Sequence, residues 1–343
     1  MTRWLLIGLA VALALPALAI GGFLLLFDAD SLKPRIAEAV TRTTGRAFAI
    51  EGRLTLKPAL VPTLSAENLM LANVAGGSAP EMLRLRRAEL RLALLPLLSG
   101  RAEVASLSLE GGTLLLERDN WRFVRPDAPP DPNARPAPAR EPMVLDIRRV
   151  SLRDWTVSAG GEPFQIPRAT LTGQGPGQPY DVNATVIARG AEALLEGRGT
   201  PNGGRVTATL PGARITIEAA RQGDDWRGTL AADAPQLAVL SRLAGRELPA
   251  LTGVAIRASG GWIGGGVQLA SLEARAAGGA AMGATLTSAQ LTMASADGPA
   301  KLEARGRFRD QDIVLTGEAT PMALRAGTAA PVALRVQGAG ADV

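Results

Sequence analysis

The chain has 343 residues, a formal net charge of +5, no cysteine and no histidine, and aromatic side chains make up only 3% of it. The absence of cysteine excludes disulfides, zinc–thiolate sites and thiol nucleophiles, and the absence of histidine removes the usual general base and the commonest metal ligand. The basic residues are scattered singly, without aromatic residues between them, which argues against nucleic-acid binding. This composition predicts a protein that is not an enzyme and that uses neither a metal nor another cofactor.

Residues 4–27 form an uncharged apolar run, WLLIGLAVALALPALAIGGFLLLF. As a helix this run would span about 36 Å, which is enough for the ~30 Å hydrocarbon core of a bilayer. Arg3 precedes the run and two aspartates follow it, which favours a cytoplasmic N terminus with the bulk of the chain on the other side of the membrane. We therefore predict a single-pass transmembrane anchor over residues 1–28. The alternative is a signal peptide that is cleaved after the Ala17-Leu18-Ala19 pattern.

Two short helices are predicted beyond the anchor. The first covers residues 31–46, where Asp30 or Ser31 could cap the start and Gly45 could end the helix. Its apolar residues share one face: Leu32, Ile36, Ala39 and Val40. The second covers residues 235–245, PQLAVLSRLAG, where the pattern of the surrounding sequence is interrupted.

Most of the remaining sequence alternates apolar and polar residues with a period of two. In the first third the alternating apolar residues include Leu54, Leu56, Leu107, Leu109, Leu114 and Leu116. Short alternating runs that end at glycine, proline or asparagine are typical of antiparallel strands with one apolar face. The predicted fold class is therefore mainly β: a transmembrane helix, a short helix, and a long, curved, groove-like antiparallel sheet that is interrupted by the second short helix.

Residues 126–142, PDAPPDPNARPAPAREP, contain almost no apolar bulk, and we interpret them as a linker that is extended by its prolines. This interpretation gives a helix-plus-strand region over residues 29–125 and a β-repeat region over residues 143–343 that continues the sheet. Two glycine runs, Gly260-Gly261 and Gly264-Gly265-Gly266, flank Trp262. Neither is followed by a Lys-Ser/Thr pair, so we interpret them as turns and not as a phosphate-binding loop.

The stretch from Asp28 to Phe123 resembles the N-terminal region of the AsmA family. The features that carry the resemblance follow the apolar segment in this order: Asp28 and Asp30, the helix ending in Thr44-Gly45-Arg46, Ile50-Glu51-Gly52-Arg53-Leu54, Leu94-Leu95-Pro96-Leu97-Leu98-Ser99-Gly100, and Asn120-Trp121-Arg122-Phe123. Residues 234–249 are similar to a helix that recurs in this family. Family members are usually longer and this chain stops directly after an alternating run, so we expect a fragment or an end that lies against a partner.

The resemblance implies a bacterial inner-membrane anchor and a periplasmic β-groove similar to those of bridge-like lipid transfer proteins. It also implies a role in phospholipid traffic and outer-membrane biogenesis, with phospholipids, the inner membrane and outer-membrane or assembly proteins as partners. The groove would be lined by the apolar alternates Leu54, Leu56, Leu107, Leu109, Leu114 and Leu116. From the alternation alone, a closed sandwich of two sheets is the other solution, since a sheet with one apolar face must cover it.

Three further functions stay open on the sequence. A non-catalytic assembly factor would help outer-membrane proteins to be targeted and assembled, contacting its partners through exposed strand edges. A secreted β-repeat passenger would lose residues 1–19. A periplasmic hydrolase is the least favoured, because no nucleophile has a recognisable base.

Overall fold

The computed structural model describes residues 28–94, 96, 101–117, 120–121, 144–175, 178–263, 266–281, 283–295, 298–309, 311–319, 332–338 and 341–342. The predicted anchor, apart from Asp28, and the predicted linker at residues 126–142 lie outside these ranges. Neither helix within the ranges combines the length and the apolar character that a membrane span requires. The chain forms two compact units, the first ending at Gln178 and the second beginning at Pro179.

In its described residues, the first unit consists of one helix followed by strands. A 3-10 turn, Ala29–Leu32, leads directly into helix α1, Lys33–Thr44. The strands are β1 Phe48–Ile50, β2 Leu54–Lys57, β3 Thr63–Ala72, β4 Glu81–Ala93, β5 Arg101–Leu116, β6 Val144–Ile147, β7 Arg149–Ala159 and β8 Phe164–Gly173. β1 and β2 both pair with β3, and the sheet continues through β4 and β5 to β7 and β8.

The pairing of β5 with β6 and β7 is parallel, whereas the other pairings in the described residues are antiparallel. The prediction of a long antiparallel sheet is therefore confirmed except at this junction. Parallel neighbours need a long connection, because the chain must return to the same end of the sheet. The residues between Leu116 and Val144 supply that length, so the proline-rich segment connects two adjacent strands of one sheet.

The second unit is a succession of antiparallel strands, most of which pair with the next strand along the chain. They are β9 Tyr180–Ala188, β10 Ala191–Thr200, β11 Gly203–Leu210, β12 Ala213–Gln222, β13 Asp225–Gln236, β14 Ala250–Ile263, β15 Gly266–Ala276, β16 Gly278–Ala281, β17 Ala284–Met293, β18 Ala300–Phe308, β19 Gln311–Ala319, β20 Val332–Gly338 and β21 Ala341–Asp342. Both β15 and β16 pair with β14 and with β17. Such a meander needs only short turns between strands.

The second predicted helix is present between β13 and β14, but it is shorter than predicted. A 3-10 turn, Leu237–Leu240, leads into α2, Ser241–Ala244, and Gly245 ends it with a φ of 66°. Pro235 and Gln236, which were predicted to start the helix, complete β13. A proline is tolerated at the end of a strand, where few ladder hydrogen bonds need its missing N–H.

The start of α1 also differs from the prediction, because Asp28 and not Asp30 or Ser31 caps the first turn. Asp28 accepts the Asp30 N–H at 3.0 Å on its carboxylate. The 3-10 turn moves the first unpaired backbone N–H groups towards the N terminus, so the capping side chain lies earlier in the sequence. The predicted end is confirmed: Gly45 adopts a φ of 69°, and its N–H donates to Thr41 O at 2.8 Å.

Asp30 ties the start of α1 to the sheet. Its Oδ1 accepts the Leu54 N–H of β2 at 2.9 Å and lies 2.9 Å from Lys33 Nζ. The hydrogen bond from Lys33, followed by the one from the Leu54 backbone, lowers the pKa of Asp30 below its ordinary value of 3.8. A carboxyl group with a lowered folded-state pKa stabilises the fold above its unfolded-state pKa, and this contribution is lost as the pH falls through the folded-state pKa.

We therefore expect Asp30→Asn to lower the free energy of unfolding at neutral pH, and we expect its difference from the wild type to vanish as the pH falls below about 4. Denaturant unfolding followed by circular dichroism at a series of pH values measures this. The matched control is Glu38→Gln, which removes an exposed ion pair with Arg42 at 3.7 Å and should change little. A difference for Asp30→Asn that does not depend on pH would contradict the assignment.

Asn120, part of the Asn-Trp pair in the sequence, is completely buried and joins three parts of the first unit. Its Nδ2 donates to Asn73 Oδ1 at 2.9 Å and to Leu115 O at 2.8 Å, and its Oδ1 accepts the Glu117 N–H at 3.1 Å. Arg46, just after α1, donates to Asn120 O at 2.9 Å. The Asn120 side chain therefore links the end of β5 to the β3–β4 connection, and the backbone carbonyl of the same residue accepts a hydrogen bond from the end of α1.

Replacing Asn120 should be among the most damaging changes in the first unit. Asn120→Ala leaves buried acceptors on Asn73 and Leu115 without donors, and we expect a loss of about 2–4 kcal/mol in the free energy of unfolding. Asn120→Asp keeps the volume but removes both donors, so it should destabilise the fold to a similar extent. Chemical denaturation measures both, and a nearly neutral Asn120→Asp would show that packing, not hydrogen bonding, matters at this position.

Candidate functional site

The apolar pattern of the first unit changes phase at one common level of β3, β4, β5 and β7. In β3 the apolar residues are Leu64 and Ala66 before Asn68, and Leu69 and Leu71 after it, so they shift from even to odd positions. Asn68 has a φ of 50°, in the left-handed region, which interrupts the regular alternation of a strand. The same shift occurs at the same level of the neighbouring strands, at Arg86 in β4, Gly111 in β5 and Asp154 in β7.

We call these four residues the break row: Asn68, Arg86, Gly111 and Asp154. Gly111 and Asp154 also have positive φ values, 68° and 54°. The pairing register is the same on both sides of the row: on β4, Leu85 lies opposite Gly112 and Arg87 lies opposite Glu110. Because the strands shift together, no strand slides past its neighbour, and directly opposite residues continue to share a face.

The packing beneath α1 shows that the apolar residues on the two sides of the break row lie on the same face. Leu54 and Ala66 form one cluster with Ala29, and the partly buried residues packed against this cluster include both Leu64 and Leu69, which lie on opposite sides of Asn68. Without the change of phase, Leu64 and Leu69 would point to opposite faces. Because of the break row, one face of the sheet is apolar on both sides of the row.

The six leucines predicted to line a groove all belong to this apolar face. Leu54 and Leu56 lie opposite Ala66 and Leu64, and the opposite partners across β4 and β5 are Leu64–Leu90–Leu107, Ala66–Ala88–Leu109 and Leu71–Leu83–Leu114, with Leu116 two positions further on. Leu54 is only 4% exposed because Ala29 covers it, so it is a core residue. The other five are half-buried, and their role in a groove stays a prediction.

Trp155 lies in the middle of β7. A Cβ at Gly112 would overlap its indole ring, so the glycine leaves the space that the ring occupies. The indole Nε1 donates to Leu109 O at 3.1 Å. Trp155 thus fills the apolar face just beyond the break row and satisfies its only polar atom there.

The second unit has an apolar face of the same kind, partly covered by α2. The buried residues Leu210, Ala213, Ala234, Val254 and Ala276 lie side by side on successive strands, and Leu237, Leu240 and Leu243 of the helical segment pack on them. Helix α2 covers only one end of this face. Further along the same strands the apolar side chains are exposed: Val206 41%, Ile217 48%, Trp262 43%, Leu269 42% and Val267 68%.

An open cleft of about 350 Å³ lies over this exposed end. Its floor includes Gly228 and Gly260, which lie directly opposite each other, and its edge includes the opposed pair Trp226 and Trp262. The prediction that Gly260 and Gly261 form a turn is wrong, because both lie inside β14. Both positions require glycine, because a Cβ would overlap the backbone of the adjacent strand.

The opposite face of each sheet carries the charged residues. Cross-strand ion pairs include Arg86–Glu110 at 2.7 Å, Arg257–Asp233 at 3.0 Å, Arg307–Asp312 at 3.5 Å, Arg198–Asp181 at 3.7 Å and Arg205–Glu218. On the same face, hydrogen bonding by Arg84 lowers the pKa of Glu81 below its usual value of 4.5. Such exposed pairs contribute little to stability, but they keep this face hydrated, so the two faces differ in polarity.

An apolar face of this kind is suited to binding apolar groups. Within the described ranges no three acidic, cysteine or histidine residues come together in a way that could hold a metal ion. A surface of this type can hold hydrocarbon chains through burial alone. The break row and the opposed tryptophans were missed by the sequence reasoning, although the shift from even to odd apolar positions at Asn68 is visible in the sequence itself.

Comparison with protein families gives one match: the AsmA family model covers residues 1–166. This match confirms the resemblance that was inferred from the sequence. Comparison with curated proteins and with solved structures gives no match.

The positive φ of Asn68 leads to a testable prediction about substitutions at this position. Asn68→Gly should be nearly neutral, whereas Asn68→Val should lower the free energy of unfolding by about 1–2 kcal/mol, because a β-branched residue is strained at positive φ. The matched control is Glu67→Val at the preceding residue, which is exposed like Asn68 and whose φ is not positive. Thermal or denaturant unfolding measures the three variants, and equal stability of the Gly and Val variants at position 68 would contradict the conformation.

Proposed function

We propose, on the premise that residues 1–166 match the AsmA family model, that the chain is a periplasmic protein, anchored in a bacterial inner membrane, that binds phospholipids along its apolar sheet faces. Membership of the family is consistent with a membrane-associated role in lipid transport or outer-membrane biogenesis. In this proposal the protein is not an enzyme and needs no cofactor. The single observation that carries it is the apolar face of the first unit, which stays continuous across the break row.

Burial of hydrocarbon on such an apolar face would stabilise a bound lipid. Each methylene group that leaves water contributes roughly 0.8 kcal/mol, so an acyl chain lying on a row of leucines is held firmly without any specific contact. The rows continue from strand to strand: Leu90, Leu107 and Val150 follow one another in register, as do Leu83, Leu114 and Val157. A chain can therefore move across the strands with little change in free energy.

The structure of the first unit also favours an open face over a closed sandwich. Its described strands belong to one hydrogen-bonded sheet, and the element that packs on the apolar side is the helical segment around α1. The helical residues in that cluster are Ala29, Leu32 and Ile36, which cover Leu54 and its neighbours. In a sandwich, a second sheet would pack on the leucines of β4 and β5.

Site-specific photo-crosslinking in cells tests the proposal. A photoreactive residue is placed at Leu107 or Leu114, with Ser106 and Ser108 on the same strand as opposite-face controls, since they lie opposite Arg91 and Glu89. We expect phospholipid adducts from the two leucine positions and not from the two serines. Adducts are identified by mass spectrometry.

Leu54 is a second control, because a position that is covered by Ala29 should not react with a free lipid. Adducts with outer-membrane or assembly proteins, without any lipid, would contradict lipid binding and would favour the assembly-factor function. The absence of any adduct on either face would favour a closed sandwich.

A further inference from the structure

The connection between β2 and β3 carries an apolar side chain that nothing in the first unit covers. This connection, residues 58–62, has the sequence PALVP, and we call it the tip loop. Leu60 at its centre is 81% exposed, more than any other large hydrophobic side chain in the described residues. Pro58 and Ala59 beside it are exposed as well. An apolar tip of this kind is not part of the core, so a packing role does not explain it.

The base of the tip loop is held by the sheet. Lys57 and Thr63, on either side of the loop, lie directly opposite each other, and Pro62 O accepts the Leu92 N–H of β4 at 3.2 Å. The two prolines fix φ at both ends of the loop and carry no N–H that would need a partner away from water. A loop of five residues extends at most about 8 Å beyond its strands. The tip loop is therefore a short, stiff projection from one end of the sheet.

The direction of α1 shows on which side the preceding chain reaches the first unit. Ala29, just before α1, belongs to one buried cluster with Ala66, in the half of β3 that is joined to the tip loop. Near the end of α1, the Thr41 hydroxyl accepts the Phe48 N–H at 3.3 Å, and Phe48 lies opposite Leu71 in the other half of β3. Helix α1 therefore runs away from the tip loop, and the chain enters from the end of the sheet that carries it.

The predicted anchor over residues 1–28 thus joins the first unit close to the tip loop. Ala29 packs on Leu54, and Leu60 follows Leu54 by six residues, so the path along the extended chain is about 20 Å at most. A bilayer that holds the anchor lies within this distance of Leu60. The membrane surface is therefore the apolar partner that the connectivity of the chain itself brings to the loop.

The charges behind the tip loop favour an anionic surface. Lys57 and Arg91 lie opposite the same residue of β3, so they share a face, and both are exposed. In the part of the chain that the structure describes, neither of them forms an ion pair with a carboxylate. The acidic residues at this end of the sheet, Glu103 and Asp146, are paired with Arg148 at 3.2 and 3.0 Å. Unpaired cations near an apolar tip are attracted by the head groups of anionic phospholipids.

We propose that the tip loop inserts into the surface of the membrane that holds the anchor, with Leu60 at the boundary between head groups and acyl chains and with Lys57 and Arg91 beside anionic head groups. A reach of about 8 Å matches the depth of roughly 5–10 Å at which peripheral apolar groups lie in this boundary. The inference rests on the anchor of the proposed function and not on lipid binding along the sheet faces. It adds a second membrane contact, which holds the first unit with this end towards the bilayer.

Fluorescence quenching in vesicles tests the inference on the full chain. Because the chain contains no cysteine, Leu60→Cys gives a single position for a nitrobenzoxadiazole label. The matched control is Ala75→Cys, an exposed residue in the connection at the other end of β3. The labelled proteins are reconstituted into vesicles of phosphatidylethanolamine and phosphatidylglycerol that contain a nitroxide-labelled lipid. We expect the lipid to quench the label at position 60 at least about threefold more strongly than the label at position 75, because only the tip loop enters the bilayer.

A second variant tests the apolar side chain itself. Leu60→Asp places a carboxylate in the tip, and it should lower the quenching of a label at Ala59→Cys about threefold, because a charged group is disfavoured in the acyl region. Ala75→Asp, read with the same label, is the control and should change nothing. Leu60 is exposed, so both variants should resist protease like the wild type. Unchanged quenching in Leu60→Asp would overturn the insertion of Leu60.

Flotation of the vesicles separates this inference from the anchor on which it rests. Protein that floats with the vesicles and resists carbonate extraction, but whose label at position 60 is quenched no more than the label at position 75, would overturn the tip-loop contact and leave the anchor standing. Strong and equal quenching at both positions would also overturn it, because both ends of β3 would then lie on the bilayer. Protein that does not float with the vesicles would overturn the anchor and the tip-loop contact together.

Discussion

The architecture of this protein depends on one constraint of β-sheets: residues directly opposite each other on adjacent strands must share a face. A single strand that changed its alternation would carry its leucines to the charged side. In the first unit the strands change phase at one level, so the leucines of β3, β4 and β5 stay on one side. The packing of α1, the position of Trp155 over Gly112 and the charged opposite face all follow from this common shift.

Each unit covers part of its apolar face with a short helical segment that ends at a glycine in the left-handed conformation. In the first unit Leu32 and Ile36 pack near Leu54, and in the second Leu240 packs near Leu210. A helix about 10–12 Å wide spans only two or three strands at a spacing of about 4.8 Å. In the described residues, each short helical segment therefore covers one end of the apolar face of its sheet.

The second apolar face differs from a compact core in its composition. Its floor uses glycine and alanine where a compact core would place leucine or phenylalanine, and close approach of the strands at Gly228 and Gly260 excludes a Cβ. Small residues bury little apolar area, so each of them contributes less to stability through packing than a leucine or phenylalanine would. Two of the few aromatic residues, Trp226 and Trp262, lie opposite each other at the edge of the cleft.

The sequence by itself determined the mainly β class, the two helical segments, the glycines that end them and the resemblance to the AsmA family, because these depend on local periodicity, local turns and short motifs. It did not determine that β5 and β7 are parallel, that Asn120 joins α1 to the end of β5, or that Leu107 and Leu114 share a face. Those features were decided by the tertiary structure. Pairing direction, buried hydrogen bonds between distant residues and strand phase all depend on which neighbours lie opposite, and alternation within one strand carries no information about its neighbours.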